Sequence, residues 1–166
     1  MTSARTAPPL ICGTSTAGTL AVAAGAQPVI VERTEGALRL EASLSQRVFT
    51  PGEPVEVTVT ARNVSSAPLG VVFNTGQRLD LIVRRPRGDE VWRWSHDKAF
   101  TQAIQTLLLR PQESTVLRVA WDQRDLQGRR VDPGTYEAIV VFMGRVEGAG
   151  RAPAALAPLA FTIGSR

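Results

Sequence analysis

From Leu38 onward, apolar and polar residues alternate with a period of two. Leu38, Leu40, Ala42 and Leu44 stand against Arg39, Glu41 and Ser43, and Val55, Val57, Val59 and Ala61 against Glu56, Thr58, Thr60 and Arg62. Successive side chains of an extended chain point to opposite faces, so each run predicts a strand with one buried and one wetted face. Between them, Thr50-Pro51-Gly52-Glu53 predicts a turn: Pro presets φ and Gly accepts a positive one. Residues 63–68 predict the next turn, 69–73 a short apolar strand and 74–77 another turn, after which alternation resumes over 79–83. Arg85-Pro86-Arg87-Gly88 then predicts a type I turn with a Gly bulge, and Val91-Trp92-Arg93-Trp94-Ser95 the returning strand.

A polar loop follows, then an apolar piece over 104–109. Residues 111–114 turn the chain into a strand marked by Thr115, Leu117, Val119 and Trp121. Asp132-Pro133-Gly134-Thr135 turns into 136–142, residues 144–158 predict a long flexible connection, and 159–163 a last strand. No long stretch keeps a helical period. A short helix fits 100–108, although Thr101 and Thr106 are only moderate helix formers. About seven or eight short strands divided by Pro-Gly turns predict an all-β chain, an immunoglobulin-like antiparallel β-sandwich.

The first 28 residues differ in composition: rich in Ala, Thr, Gly and Pro, with Arg5 as their one charge. Ala24-Gly25-Ala26 resembles a cleavage site, while Pro8-Pro9 and the polar 13–16 segment interrupt the apolar stretch a signal peptide needs. The expected organisation is a flexible tail or signal peptide over 1–28 and one sandwich over 29–166. An exported or cell-envelope location follows from the signal-peptide reading, a cytoplasmic one from the tail reading. No apolar run reaches the roughly 20 residues of a membrane-spanning helix.

The formal charge of +4 is carried almost entirely by Arg, with Lys98 the lone lysine. Because the arginines run from Arg5 to Arg166 with no aromatic-interleaved cluster, they predict a solvated surface and no nucleic-acid partner. Cys12 is the single cysteine and His96 the single histidine, so neither a disulfide nor metal-ligand spacing is present, and no cofactor is expected. Ser95 and Asp97 flank His96, but neighbours on an extended chain diverge, so the trio does not predict a hydrolytic triad. The expectation is a non-enzyme.

Three pieces together resemble the BsuPI-type intracellular proteinase inhibitor domain: Phe73-Asn74-Thr75-Gly76-Gln77-Arg78-Leu79-Asp80, Val91-Trp92-Arg93-Trp94-Ser95 and Lys98-Ala99-Phe100-Thr101-Gln102-Ala103. Later pieces fit as well: the turn at 109–113 (with Gln112 where Gly is usual), Trp121-Asp122 and Pro133-Gly134-Thr135-Tyr136. The resemblance spans 38–143 and implies an immunoglobulin-like fold and, for the family's namesake, inhibition of a serine proteinase. It assigns no reactive-site position.

Two hairpin registers are open. Pairing Leu81 with Trp92 and Leu79 with Trp94 puts both rings on the apolar face and sets Asp80 across from Arg93; a one-residue slip puts the rings on the other face. The first register is favoured. It makes Asp80, Trp92, Arg93 and Trp94 structural residues, and Trp121 and Tyr136 likewise read as core. Contact with a protein partner falls to the polar loop: His96, Lys98, Phe100, Thr101 and Gln102, with Arg87 in the preceding turn as a competing position. The expected function is a non-catalytic protein-binding module of the serine proteinase inhibitor type. The alternatives are a structural or envelope interaction domain without inhibitory activity and, if the tryptophans are exposed, a carbohydrate-binding sandwich.

Overall fold

The computed structural model describes residues 27–148 and 153–165. The possible signal peptide, its Ala24-Gly25-Ala26 site and Cys12 therefore lie outside the described residues. Thirteen strands are present: β1 (Val29–Glu35), β2 (Leu38–Leu44), β3 (Val48–Phe49), β4 (Val55–Asn63), β5 (Leu69–Phe73), β6 (Leu79–Arg84), β7 (Glu90–Arg93), β8 (Gln105–Leu109), β9 (Ser114–Trp121), β10 (Gly134–Phe142), β11 (Arg145–Val146), β12 (Ala154–Ala155) and β13 (Leu159–Ile163). One sheet has the order β1-β2-β4-β9, a second β3-β13-β10-β6-β7 with β12 beside β10, and a third β11-β5-β8. All pairs are antiparallel except β13 with β3. Among the described residues there is no helix, and so none long and apolar enough to cross a membrane.

The period-two runs become the inner faces. Leu38, Leu40, Ala42 and Leu44 of β2 and Val55, Val57, Val59 and Ala61 of β4 are buried in the same core as Tyr136, Ala138, Val140 and Phe142 of β10. The protein is thus an all-β domain of the sandwich class, its sheets turning apolar faces toward one core. Trp121, wholly buried at the end of β9, lies 6.3 Å from the ring of Trp92, 5.8 Å from Tyr136 and 6.2 Å from Phe161. Its indole N–H donates to the Arg124 carbonyl at 2.7 Å. The Tyr136 hydroxyl donates to the Asp132 carbonyl at 2.6 Å, the arrangement of a tyrosine corner, and burial pushes its pKa upward.

Three expectations are corrected. The segment 100–108 is not helical: it is a loop followed by β8, whose pairing with β5 overrides a weak helical pattern. The stretch 144–158 is not simply a connection: β11 pairs with β5, β12 with β10, and Gly144, Val146, Ala154 and Leu156 are buried. The hairpin at 85–88 is not a type I turn with a Gly bulge. Its positive φ falls on Arg87 (φ 53), after Pro86 and inside the Gly88 N–H to Arg85 carbonyl bond, which is the geometry of a type II turn.

That turn also shifts the register. A type II turn does not match the twist of the strands it joins. Asp89 is taken into the loop and an irregularity falls at Val83/Arg84, so Val83 pairs with Trp92 and Ile82 with Arg93, two residues beyond the favoured register. An even shift preserves the face, so both tryptophans still lie on the apolar side. They are only half-buried there. β1 has no counterpart in the sequence reading because Arg33 interrupts its alternation; the signal present was Gly36-Ala37, which closes a two-residue hairpin with Gly36 at φ 58.

Buried polar side chains hold the turns. Gln123 donates from Nε2 to the carbonyls of Thr50 and Glu53 (2.9 and 2.8 Å) and accepts from Gly52 N–H at 2.7 Å. In the same turn the Glu53 carboxylate accepts from the Thr50 N–H, the Thr50 hydroxyl and Gln46. These bonds, the Thr50 backbone N–H foremost, hold its pKa below the usual carboxylate range. Wholly buried Asn63 donates to the carbonyls of Ala67, Leu109 and Arg110 and accepts from Ser65.

Two predictions follow from these turns. Gln112, at φ 65, occupies a left-handed position that costs a side-chain-bearing residue about 1–2 kcal/mol. Gln112→Gly is expected to raise stability by about 0.5–1 kcal/mol in chemical denaturation, the loss of its long surface bonds to Arg62 and Ser65 being the smaller effect. Because the folded pKa of Glu53 is depressed, its contribution is present above the unfolded carboxylate pKa and is lost as pH falls. Between about pH 5 and pH 3 the wild-type melting temperature should therefore drop more than that of Glu53→Gln.

Candidate functional site

The loop between β7 and β8 is built on β6. Asp80 is buried, and its Oδ1 accepts from the backbone N–H groups of Leu81 and Ser95 at 2.9 and 3.1 Å. Its Oδ2 accepts from the Ser95 hydroxyl at 2.6 Å and from Arg93 Nη1 at 3.1 Å. Asp80 thus lies diagonal to Arg93, not across from it, and its opposite neighbour in the shifted register is Ser95. Arg93 is forked between Asp80 and Glu90; the Glu90 hydrogen bond chiefly, then Asp80, holds its pKa above the ordinary value.

Beyond Ser95 the loop is pinned at three more points. The Phe100 ring lies 5.7 Å from Trp94. The Thr101 carbonyl accepts from Gly76 N–H at 2.9 Å, an approach so close that a Cβ on residue 76 would fall 2.6 Å from Thr101 Oγ1 and force that hydroxyl to shift. Arg78 lays its guanidinium 4.2 Å over the Phe73 ring and donates from Nη2 to Gln105 Oε1 at 2.6 Å. The residues 73–80 and 98–103 that carry the family resemblance are therefore the two halves of one arrangement, a turn and the loop docked on it.

The expected contact residues fall into different surroundings. His96 is exposed beside a groove of about 260 Å³ shared with Trp92, Asp97, Asp122, Arg124 and Leu126. Lys98 Nζ lies 5.1 Å from the Trp94 ring centroid and 3.6 Å from Asp97. Phe100 is half-buried, whereas Thr101 and Gln102 are exposed. Arg87 is exposed at the tip of the β6–β7 hairpin, at the opposite end of β7, so the structure does not bring it together with the loop. A polar cleft of about 490 Å³ lies at that hairpin end, lined by Arg85, Glu90, Asp125, Arg130 and Tyr136 among others.

Ile104 and Leu108 are not singled out in the sequence, where 104–109 reads only as an apolar piece. They are 74% and 65% exposed, above the other exposed large hydrophobics. The missed signal is the alternation Gln105, Leu107, Leu109 inward against Ile104, Thr106, Leu108 outward.

No curated protein matches the chain. Among solved structures it resembles, with TM-score 0.44 and 15% identity, a mutant β-glucosidase from Listeria innocua in complex with laminaribiose, over 77% of this chain and 16% of that one. It resembles Pseudomonas fluorescens alkylpurine DNA glycosylase AlkC bound to abasic-site DNA with TM-score 0.40 and 16% identity, over 82% and 30% of the two chains. It resembles the CARDB domain of a Pyrococcus furiosus protein in complex with di-metal ions with TM-score 0.39 and 12% identity, over 84% and 89%. The model for BsuPI, intracellular proteinase inhibitor, matches residues 42–147, well over half of the sequence and including the whole pinned loop. The chain belongs to the BsuPI family.

Proposed function

We propose that this protein is a non-catalytic binding module that inhibits a serine proteinase by steric occlusion, presenting the β7–β8 loop from a rigid sandwich. The observation that carries the reading is the loop itself: its 101–104 segment is exposed, yet its flanks are tied to Asp80, Trp94, Gly76 and Arg78. A loop held in one conformation loses little entropy on binding, which favours a tight complex. Membership in an inhibitor family supports the same reading. Within the loop, Lys98 and Phe100 hold the platform over Trp94, while His96, Thr101 and Gln102 are offered to the partner.

The test is a panel of serine proteinases assayed with micromolar protein. At least one is expected to be slowed in proportion to inhibitor added, and a panel left untouched overturns the reading in favour of an interaction domain without inhibitory activity. Phe100→Ala, which removes the ring seated on Trp94, should weaken inhibition about tenfold or more. Arg87→Ala, at the far end of β7, should leave the inhibition constant within about twofold; a larger loss moves the contact to the hairpin tip.

A further inference from the structure

We infer that the outer edge of β8, with Ile104 at its head, is the segment that enters the proteinase's substrate cleft, pairing with it as an added strand and placing the Ile104 side chain in an apolar specificity pocket. This deepens the inhibitor reading above and rests on it.

Three observations converge. First, β8 has one neighbour, β5, and its other edge is unpaired among the described residues. Unpaired strand edges are templates for pairing, and proteins ordinarily guard them with charge. The other long edges here are guarded: β1 carries Glu32, Arg33 and Glu35, β7 carries Glu90 and Arg93, and β9 carries Arg118, ion-paired with Glu56. Gln105-Thr106-Leu107-Leu108-Leu109 holds neither charge nor proline.

Second, Ile104 and Leu108 project outward at an even spacing, with Thr106 exposed between them. Added strands are recognised this way, affinity coming from main-chain hydrogen bonds and specificity from pockets for alternate side chains. A serine proteinase reads an extended substrate by the same means, so an uncharged edge with alternate apolar side chains complements its cleft.

Third, the pins stop on either side of this point. The Thr101 carbonyl is held by Gly76 and the Gln105 side chain by Arg78. Between them, Gln102, Ala103 and Ile104 are exposed, so a short stretch is presented from fixed ends. Lys98 and Phe100, by contrast, lie against Trp94, and Arg87 sits at a positive φ in a tight turn, which is not an extended conformation.

The experiment measures inhibition constants of the full chain against trypsin-like, chymotrypsin-like, elastase-like and subtilisin-like enzymes. Wild type is compared with Ile104→Asp, Ile104→Arg and Leu108→Asp, and thermal melts verify that each exposed substitution leaves the fold intact. Wild type should inhibit an enzyme with an apolar pocket, Ile104→Asp should weaken that inhibition about 100-fold, and Ile104→Arg should gain inhibition of the trypsin-like enzyme. If wild type inhibits and the three variants match it, the β8 edge is overturned while the inhibitor reading stands. If wild type inhibits nothing, the inhibitor reading fails and the β8 inference falls with it. Self-association that Leu108→Asp abolishes, with inhibition unchanged by either Ile104 variant, assigns the edge to a second copy of this chain and overturns the proteinase contact.

Discussion

Burial of the Trp121 ring is the interaction on which the remaining architecture depends. It belongs to β9, at the edge of one sheet, yet it packs on Trp92, Tyr136 and Phe161, which belong to three strands of the facing sheet. One side chain therefore sets how the sheets meet at that end of the core. Its indole N–H is satisfied by the Arg124 carbonyl, so the ring is buried without an orphaned donor. Phe161 also packs on Tyr136 and Phe49, extending the aromatic contact across β10 and β13 to β3. The second aromatic pair, Phe73 with Phe142, lies where β5 meets β10, and Gly144 is packed so closely against both rings that a Cβ would stand 2.8 Å from each.

Burial of large rings fixes the interior, but it does not fix loops. Asp80, Asn63 and Gln123 do that, each buried and each hydrogen-bonded to several backbone groups of a turn or loop. Leaving such a side chain half-satisfied costs roughly 1–3 kcal/mol per missing bond, so a loop bound this way has one low-energy arrangement. Asn63 joins the 63–67 turn to the end of β8, Gln123 holds the 50–53 turn against the end of β9, and Asp80 sets the departure of the β7–β8 loop. The hold on the candidate site thus comes both from the sandwich's polar interior, through Asp80, and from the loop's own Phe100 and Thr101.

What the sequence made legible follows from the same division. Face is encoded by parity, and parity was readable: the alternating runs become β2, β4, β9 and β10, and the tryptophans point to the apolar side despite a register shift of two. Register itself is set by turn geometry, and the type II turn with Arg87 at positive φ has no signature that separates Pro-Arg-Gly from a type I turn. β1 was hidden because an edge strand tolerates the charges that break its alternation. The family motif was legible as a string, but its physical meaning, a turn docked on a loop through Gly76 and Thr101, is a tertiary contact between segments that are far apart in sequence.

Ile104 shows why an exposed apolar position goes unread in a sequence. An apolar residue at a strand entrance reads as core, because most such residues are buried on one face. Here the strand lies at the edge of a three-stranded sheet, and among the described residues the face that carries Ile104 and Leu108 has no layer over it. Exposing two large aliphatic side chains on an uncharged edge invites association, and nothing in the core requires them to be apolar, since polar side chains at those outward positions would leave the β5–β8 pairing unchanged. The inward residues Leu107 and Leu109 already supply the burial that β8 contributes. The apolar character of the outward row therefore has no role in holding this fold together, which is why its meaning has to be sought in what the edge meets outside it.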